Sequence, residues 1–283
     1  MIRVVLLTTL TMIAFAANSI LCRLALIHSA NSPVSFTIIR LFSGAVALFF
    51  FFLKNIKYFK FNLNFKTYLA PIMLSTYAFF FSLAYEQLTA GTGALILFSC
   101  VQITMMLVAF LRGQKMSGQE KIGVLLALSG FLYLVMPGVS RPPVSAATMM
   151  AIAGISWGTY SLIGQKEENP VFATAKNFLF TLPLLILPCI LLPFTLSREG
   201  FFLAIISGAI TSGLGYVLWY FVLKEIKTNS ASLIQLSVPA LAALGGILFL
   251  DEAIKLRLII ASILIFGGIF IKIKKLRTES SSV

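Results

Sequence analysis

Residues 94–132 read ALILFSCVQITMMLVAFLRGQKMSGQEKIGVLLALSGFL, and residues 231–269 read ASLIQLSVPALAALGGILFLDEAIKLRLIIASILIFGGI. Shifted by 137 positions, the two lie over one another without a gap. Ala94 meets Ala231, Val101 meets Val238, Gln102 meets Pro239, Ile122 meets Ile259 and Gly130 meets Gly267. The same shift carries Pro33 onto Pro170 and Thr37 onto Thr174. Identity is low, yet apolar runs and their breaks coincide, so the chain reads as a duplicated unit.

An apolar run needs about 20 residues to cross a hydrocarbon layer of roughly 30 Å. Ten such runs follow one another: 4–27, 33–53, 67–86, 89–111, 119–137, 144–165, 173–195, 201–223, 228–250 and 256–272. The breaks are short, among them His28 to Pro33, Arg112 to Lys115, Pro137-Gly138, Arg141-Pro142-Pro143 and Lys166 to Pro170. This predicts an all-α integral membrane protein of ten transmembrane helices. Residues 1–140 form one five-helix unit, 144–272 a second, and 273–283 a basic and polar tail. Because five is odd, the second unit enters the bilayer from the opposite side, which makes an inverted repeat. The cations agree with this count. With both termini cytoplasmic, fifteen of the 22 Lys and Arg fall in inside segments and four in outside segments, as the positive-inside bias requires. Arg3 followed by an apolar stretch and Ala14-Phe15-Ala16 imitates a cleavable leader. The apolar run continues to Ile27, so the first helix is expected to be retained.

Composition excludes much else. The chain is 59% hydrophobic and 11% charged, against about 25% charged residues in a soluble domain. A formal charge of +13 would suit nucleic acid if it clustered on one soluble face. Here the cations are strung between apolar runs, and no nucleic-acid partner is expected. Cys22, Cys100 and Cys189 all fall inside apolar runs and read as packing residues. One His (His28) and one Asp (Asp251) rule out multi-His metal sites and paired-aspartate catalysis. No phosphate-binding Gly loop is present. No enzymatic activity, metal or cofactor is expected; the predicted partners are lipid and a small molecule, with monomer or homodimer left open.

The order of weak motifs resembles the drug/metabolite transporter superfamily, EamA type, over essentially the whole chain. Phe15-Ala16-Ala17-Asn18-Ser19 followed by Arg23 corresponds to the family's first-helix pattern, although its Trp-Gly pair appears only in the second half, as Trp157-Gly158. Arg40 matches a second-helix Arg, and Pro239 with Leu250-Asp251-Glu252 matches the ninth helix. Gln102 and Lys115 depart from the Pro and Glu usual in the first half. The resemblance implies that four helices of each half enclose a central cavity, with the fifth and tenth packed outside.

Ionisable groups within a span are costly and therefore candidates for function. Arg40 lies about seven residues into its span, roughly 10 Å deep at 1.5 Å per residue. It reads either as a partner for an anionic substrate or as a structural tie. Arg23 and Lys176 lie near span ends and read as snorkelling. All nine acidic residues map to loops or helix ends, so no buried carboxylate is expected for proton coupling, Glu86 being the nearest candidate. Polar and aromatic side chains at helical spacing mark a lined cavity: Asn18, Tyr77, Phe98, Ser99, Gln102, Trp157, Tyr160, Tyr216, Trp219 and Gln235, together with Arg40, Thr211 and Ser232. The competing reading of these residues is helix–helix contact. Pro239 is expected mid-span as a hinge; Pro183, Pro188 and Pro193 are expected to bend span seven. Together these features predict a secondary carrier working by alternating access in a bacterial inner membrane. By resemblance, the substrate is an amino acid or related metabolite and export the direction. Uptake or exchange of a charged metabolite, and a non-transport scaffold, are the alternatives.

Overall fold

A computed structural model describes residues 2–27, 31–58, 65–113, 118–136, 141–226, 231, 234–253 and 255–280. His28, the Pro137-Gly138 break and Ser232 lie outside them. The described residues form helices α1 (Ile2–Leu26), α2 (Pro33–Lys54), α3 (Phe65–Tyr85), α4 (Ala90–Leu111), α5 (Gly118–Val135), α6 (Val144–Gly164) and α7 (Pro170–Leu191). They continue with α8 (Arg198–Glu225), α9 (Ser237–Leu250) and α10 (Leu256–Ser280).

Local chemistry sets the helix starts. Pro33 and Pro170 each open a helix, where the missing N–H would have no intrahelical partner anyway. Asn169 accepts from the Phe172 N–H at 3.1 Å, Thr89 from Thr92 at 3.3 Å and Ser197 from Gly200 at 3.0 Å, each satisfying an orphan donor of the first turn. One turn into α2 and α7, Thr37 and Thr174 donate to the carbonyls of Pro33 and Pro170, both at 2.8 Å. By length and composition α1, α2, α3, α4, α6, α7 and α8 are each able to cross a membrane. Shorter apolar segments, Leu125–Leu134, Ser237–Leu250 and Leu256–Gly268, occupy the fifth, ninth and tenth positions.

Burial is arranged for lipid rather than water. Phe42, Val46, Phe49, Phe50 and Leu53 of α2 face outward, as do Ile186, Leu187, Ile190 and Leu191 of α7, whereas Arg40, Asn18 and Gln235 are buried. Apolar exterior and polar interior are what a hydrocarbon solvent demands. The two halves are interlocked rather than side by side: α2 packs on α7, α4 on α9, α5 on α10, α1 on α8 and α9, and α3 and α4 on α6. Glycine permits the tightest crossing, since a Cβ at Gly208 would lie 2.0 Å from the Arg40 carbonyl oxygen.

Three local expectations need correction. α9 begins at Ser237 after a turn at Gln235-Leu236, so Pro239 sits in the first turn of a helix, where it removes no internal hydrogen bond, rather than in the middle of one. Pro193 lies beyond the end of α7, leaving Pro183 and Pro188 inside it. The central stretch of α8, Ser207–Leu214, is π-helical, a geometry that one helical period cannot reveal.

Candidate functional site

The centre of the bundle is a buried polar knot wrapped in aromatic rings. α1 contributes Asn18, α2 Arg40, α3 Tyr77 and α8 Ser207, Thr211, Ser212 and Tyr216, all nearly or fully buried. Arg40 donates through Nε to Ser212 Oγ at 3.0 Å, and through Nη2 to the hydroxyls of Tyr77 at 3.1 Å and Tyr216 at 2.7 Å. The two tyrosine hydroxyls are themselves 3.1 Å apart, with Tyr216 donating. Asn18 donates to Tyr77 at 3.2 Å, while its carbonyl accepts from Ser207 at 2.5 Å and Thr211 at 3.1 Å.

Arg40 is thus held by both halves of the chain, yet its charge has no opposite. Among the described residues the ion pairs are Arg23–Glu252 and Lys176–Glu167, and neither involves Arg40. Its Nη1 is buried without a hydrogen-bond partner. The rings of Phe81 and Tyr77, with centroids 5.0 and 5.3 Å from its Cζ, supply cation–π stabilisation in place of a counter-ion. Leaving that donor unmade is costly, and an anionic or carboxylate group is the chemistry that would satisfy it.

Around this knot stands an aromatic wall. Trp157 lies 4.6 Å from Tyr216, 5.0 Å from Tyr77, 5.2 Å from Phe15 and 5.4 Å from Tyr160, centroid to centroid. Its indole N–H donates to Gln235 Oε1 at 2.9 Å, tying α6 to the turn that precedes α9. Trp219 donates to Ser161 at 3.0 Å and packs 5.6 Å from Phe15, which also stacks on Phe98 at 6.4 Å.

Ten of the thirteen sequence-predicted lining residues therefore meet in this one region: Asn18, Arg40, Tyr77, Phe98, Trp157, Tyr160, Thr211, Tyr216, Trp219 and Gln235; Ser232 lies outside the described residues. Ser99 and Gln102 do not meet there. They line a narrow crevice with Ala127, Leu128 and Ile265, between α4, α5 and α10. There Ser99 bonds back to the Leu95 carbonyl at 2.7 Å and Gln102 donates to Met106 Sδ at 3.1 Å. Phe15, Phe81, Ser207 and Ser212 escape the sequence reading. Phe15 lies three residues before Asn18 and so shares its face, a signal that was available. Ser212 reaches Arg40 only because of the π turn.

At the bundle end formed by the close of α1 and the start of α4, Arg23 does not snorkel. It pairs with Glu252 at 3.3 Å and donates to the carbonyls of Tyr85 and Glu86 at 2.9 and 3.0 Å. Glu252 also accepts from the Ala90 N–H at 2.9 Å. The result is a latch joining α1, the α3–α4 turn and the α9–α10 turn. At the opposite end Lys224 donates to the Glu168 carbonyl at 2.6 Å and Asn169 to Asn55 at 3.3 Å. Lys176 stands 4.0 Å from Glu167 there, a loose pair in place of simple snorkelling.

A family model described as the EamA-like transporter family matches residues 144–273, the half that carries Trp157-Gly158, Pro239 and Glu252. An uncharacterised protein of Pseudomonas aeruginosa is 44% identical over 271 residues, covering 94% of this chain and 93% of that protein. The chain belongs to the EamA-like transporter family. It is accordingly an integral membrane protein and a membrane transporter, and its bacterial relatives indicate the inner membrane. A relative in Escherichia coli named a probable amino-acid metabolite efflux pump is 22% identical, covering 73% of this chain and 75% of that protein. One crystal structure superposes with a TM-score of 0.68 at 21% identity, covering 95% of this chain and 98% of that one, so the two share a fold.

Proposed function

We propose that this transporter is a secondary carrier exporting an amino acid or a related metabolite, and that it alternates access through two inverted five-helix repeats, 1–140 and 144–272. In this reading ten helices span the bilayer, both termini and the 273–283 tail are cytoplasmic, and the Arg23–Glu252 latch closes the outer end. The interlocked packing supports it: α1 contacts α8 and α9 as α6 contacts α3 and α4, while α2–α7, α4–α9 and α5–α10 each pair a helix with its own counterpart. Such exchange symmetry is what two copies related by an in-plane axis would give.

The observation that carries the substrate reading is the unpartnered Nη1 of buried Arg40, set among hydroxyls, an amide and indole rings. A carboxylate satisfies Arg40, and the aromatic wall accepts an uncharged side chain. Asn18, Arg40, Tyr77, Trp157, Tyr160, Tyr216, Trp219 and Gln235 form the site, with Phe15 and Phe98 closing it. Gln235 lies in the turn just before α9, so hinge motion belongs to that break, with Pro239 fixing the first turn that follows. The name of the Escherichia coli relative, a probable amino-acid metabolite efflux pump, supports the amino-acid class and the outward direction.

The test is release from liposomes containing the purified protein and loaded with a mixed metabolite pool, with and without a pH gradient. Selective release of amino acids is the expected result. Release indistinguishable from protein-free liposomes, or release confined to compounds without a carboxylate, would overturn the reading.

A further inference from the structure

A second basic feature lies well away from the central knot, at the latch end of the bundle. Arg141, Lys255 and Arg257 converge with Gln87, Thr89 and Thr92 on a depression of about 80 Å³. Among the described residues no acidic side chain lines it. Glu252, close by in sequence, is already engaged by Arg23 and the Ala90 N–H. Arg257 is held over the Tyr133 ring with 5.6 Å between Cζ and centroid, and its Nη1 is buried with no hydrogen-bond partner. The depression thus gathers three cationic residues and two threonines around a single space, and one guanidinium nitrogen of Arg257 is left without a partner.

This depression does not end at the helix termini. Leu258 lines both it and a groove of about 360 Å³ that follows α9 and α10 toward the middle of the bundle. The groove is walled by apolar or small residues such as Gly91, Pro239, Ala240, Ile263 and Phe266. Gly91 forms its floor: a Cβ there would lie 2.8 Å from the Ala243 Cβ and 3.3 Å from Leu258. A cationic pocket at the interface running into an apolar trough at membrane depth matches one kind of molecule, a negatively charged head with a hydrocarbon tail.

We infer that this composite surface is a binding site for an anionic phospholipid, its phosphate held by Arg141, Lys255 and Arg257 and an acyl chain lying in the α4–α9–α10 groove. A free phosphate or carboxylate shares the headgroup chemistry but makes no use of the groove. The lipid is favoured because charge complementarity and apolar continuity meet at Leu258.

The test offers the purified full chain an equimolar mixture of phosphatidylglycerol and phosphatidylcholine and reads retained lipid by native mass spectrometry. The wild type is expected to retain phosphatidylglycerol preferentially. Lys255→Gln and Arg257→Gln are each expected to reduce that preference about fivefold, one interfacial cation's worth. Ala240→Phe, which fills an exposed stretch of groove without touching a cation, is expected to weaken retention as well, and millimolar inorganic phosphate to leave it intact. Equal retention of both lipids by the wild type, or an undiminished preference in both cation variants, would overturn the proposal. Displacement by inorganic phosphate together with normal retention in Ala240→Phe would overturn it in favour of a soluble anion.

Discussion

Helices α2 and α7 occupy corresponding places in the two halves: each runs 22 residues, begins at a proline and carries a threonine one turn in, bonded back at 2.8 Å. They pack against each other along the middle of the molecule. Three residues beyond the shared threonine the two sequences part. α2 places Arg40 there and α7 places Asn177. Both are buried. Arg40 draws in Tyr77, Tyr216 and Ser212, while the Asn177 amide lies near the hydroxyls of Tyr160 and Tyr220. Across the proposed repeat, the two helices share backbone chemistry and the charge stands in one of them only. On the proposed reading, the interior is lopsided in electrostatics, which would give a carboxylate one end at which to dock.

The strongest way to break this comparison is to remove the charge. Arg40→Gln is expected to lower liposome transport about 100-fold, as loss of one member of a buried charge contact does, while insertion and gel-filtration behaviour are kept. Asn177→Leu, at the matching position, is expected to cost less than about tenfold. Equal losses would mean that the asymmetry has no functional content, and an unfolded Arg40→Gln would make Arg40 a structural tie.

Next in size is the contact that seats Arg40. Gly208→Ala forces a methyl against the Arg40 carbonyl and is expected to destabilise the protein by about 1–3 kcal/mol, read as a lower unfolding midpoint in detergent. The position corresponding to Gly208 in α3 is Pro71, and Pro71→Ala is expected to be tolerated. A smaller effect is expected from Glu252→Gln, which weakens the latch at one end and leaves the Lys224 end untouched. Maleimide labelling of Gln87→Cys should quicken about fivefold; an unchanged rate would mean that the latch does not limit opening. The smallest is Gln102→Leu, expected to leave transport within about threefold. A larger loss would return Gln102 to the substrate path and undo its assignment to the α4–α5 crevice.

The class of fold was legible because lipid imposes long apolar runs and places cations between them, and both are properties of composition along the chain. Arg40, Trp157 and Tyr216 stood out for the same reason: polar and bulky aromatic groups inside such runs need partners. What could not be read was rotation about the helix axis. Ser99 and Gln102 have the spacing of a lining face, but that face turns toward α5 and α10. Arg23 looked like a snorkelling cation because its partner, Glu252, is 229 positions away. Pro239 looked mid-span because the helix break near Gln235 carries no Gly or Pro of its own. Ser212 was hidden by the π turn, which no constant period anticipates.

That turn has a consequence for how the gene tolerates change. A π segment holds more residues per turn than the α-helix on either side, so α8 carries surplus chain between Ser207 and Leu214. Deleting one residue there lets the segment relax into ordinary α geometry while the flanking faces keep their aim. Ser207 and Ser212, which now flank the Asn18 carbonyl, would drift out of register with it. At most positions in a transmembrane helix a one-codon deletion scrambles every contact downstream. In this short window it would instead be absorbed locally, uncoupling α1 from α8 while sparing the bundle.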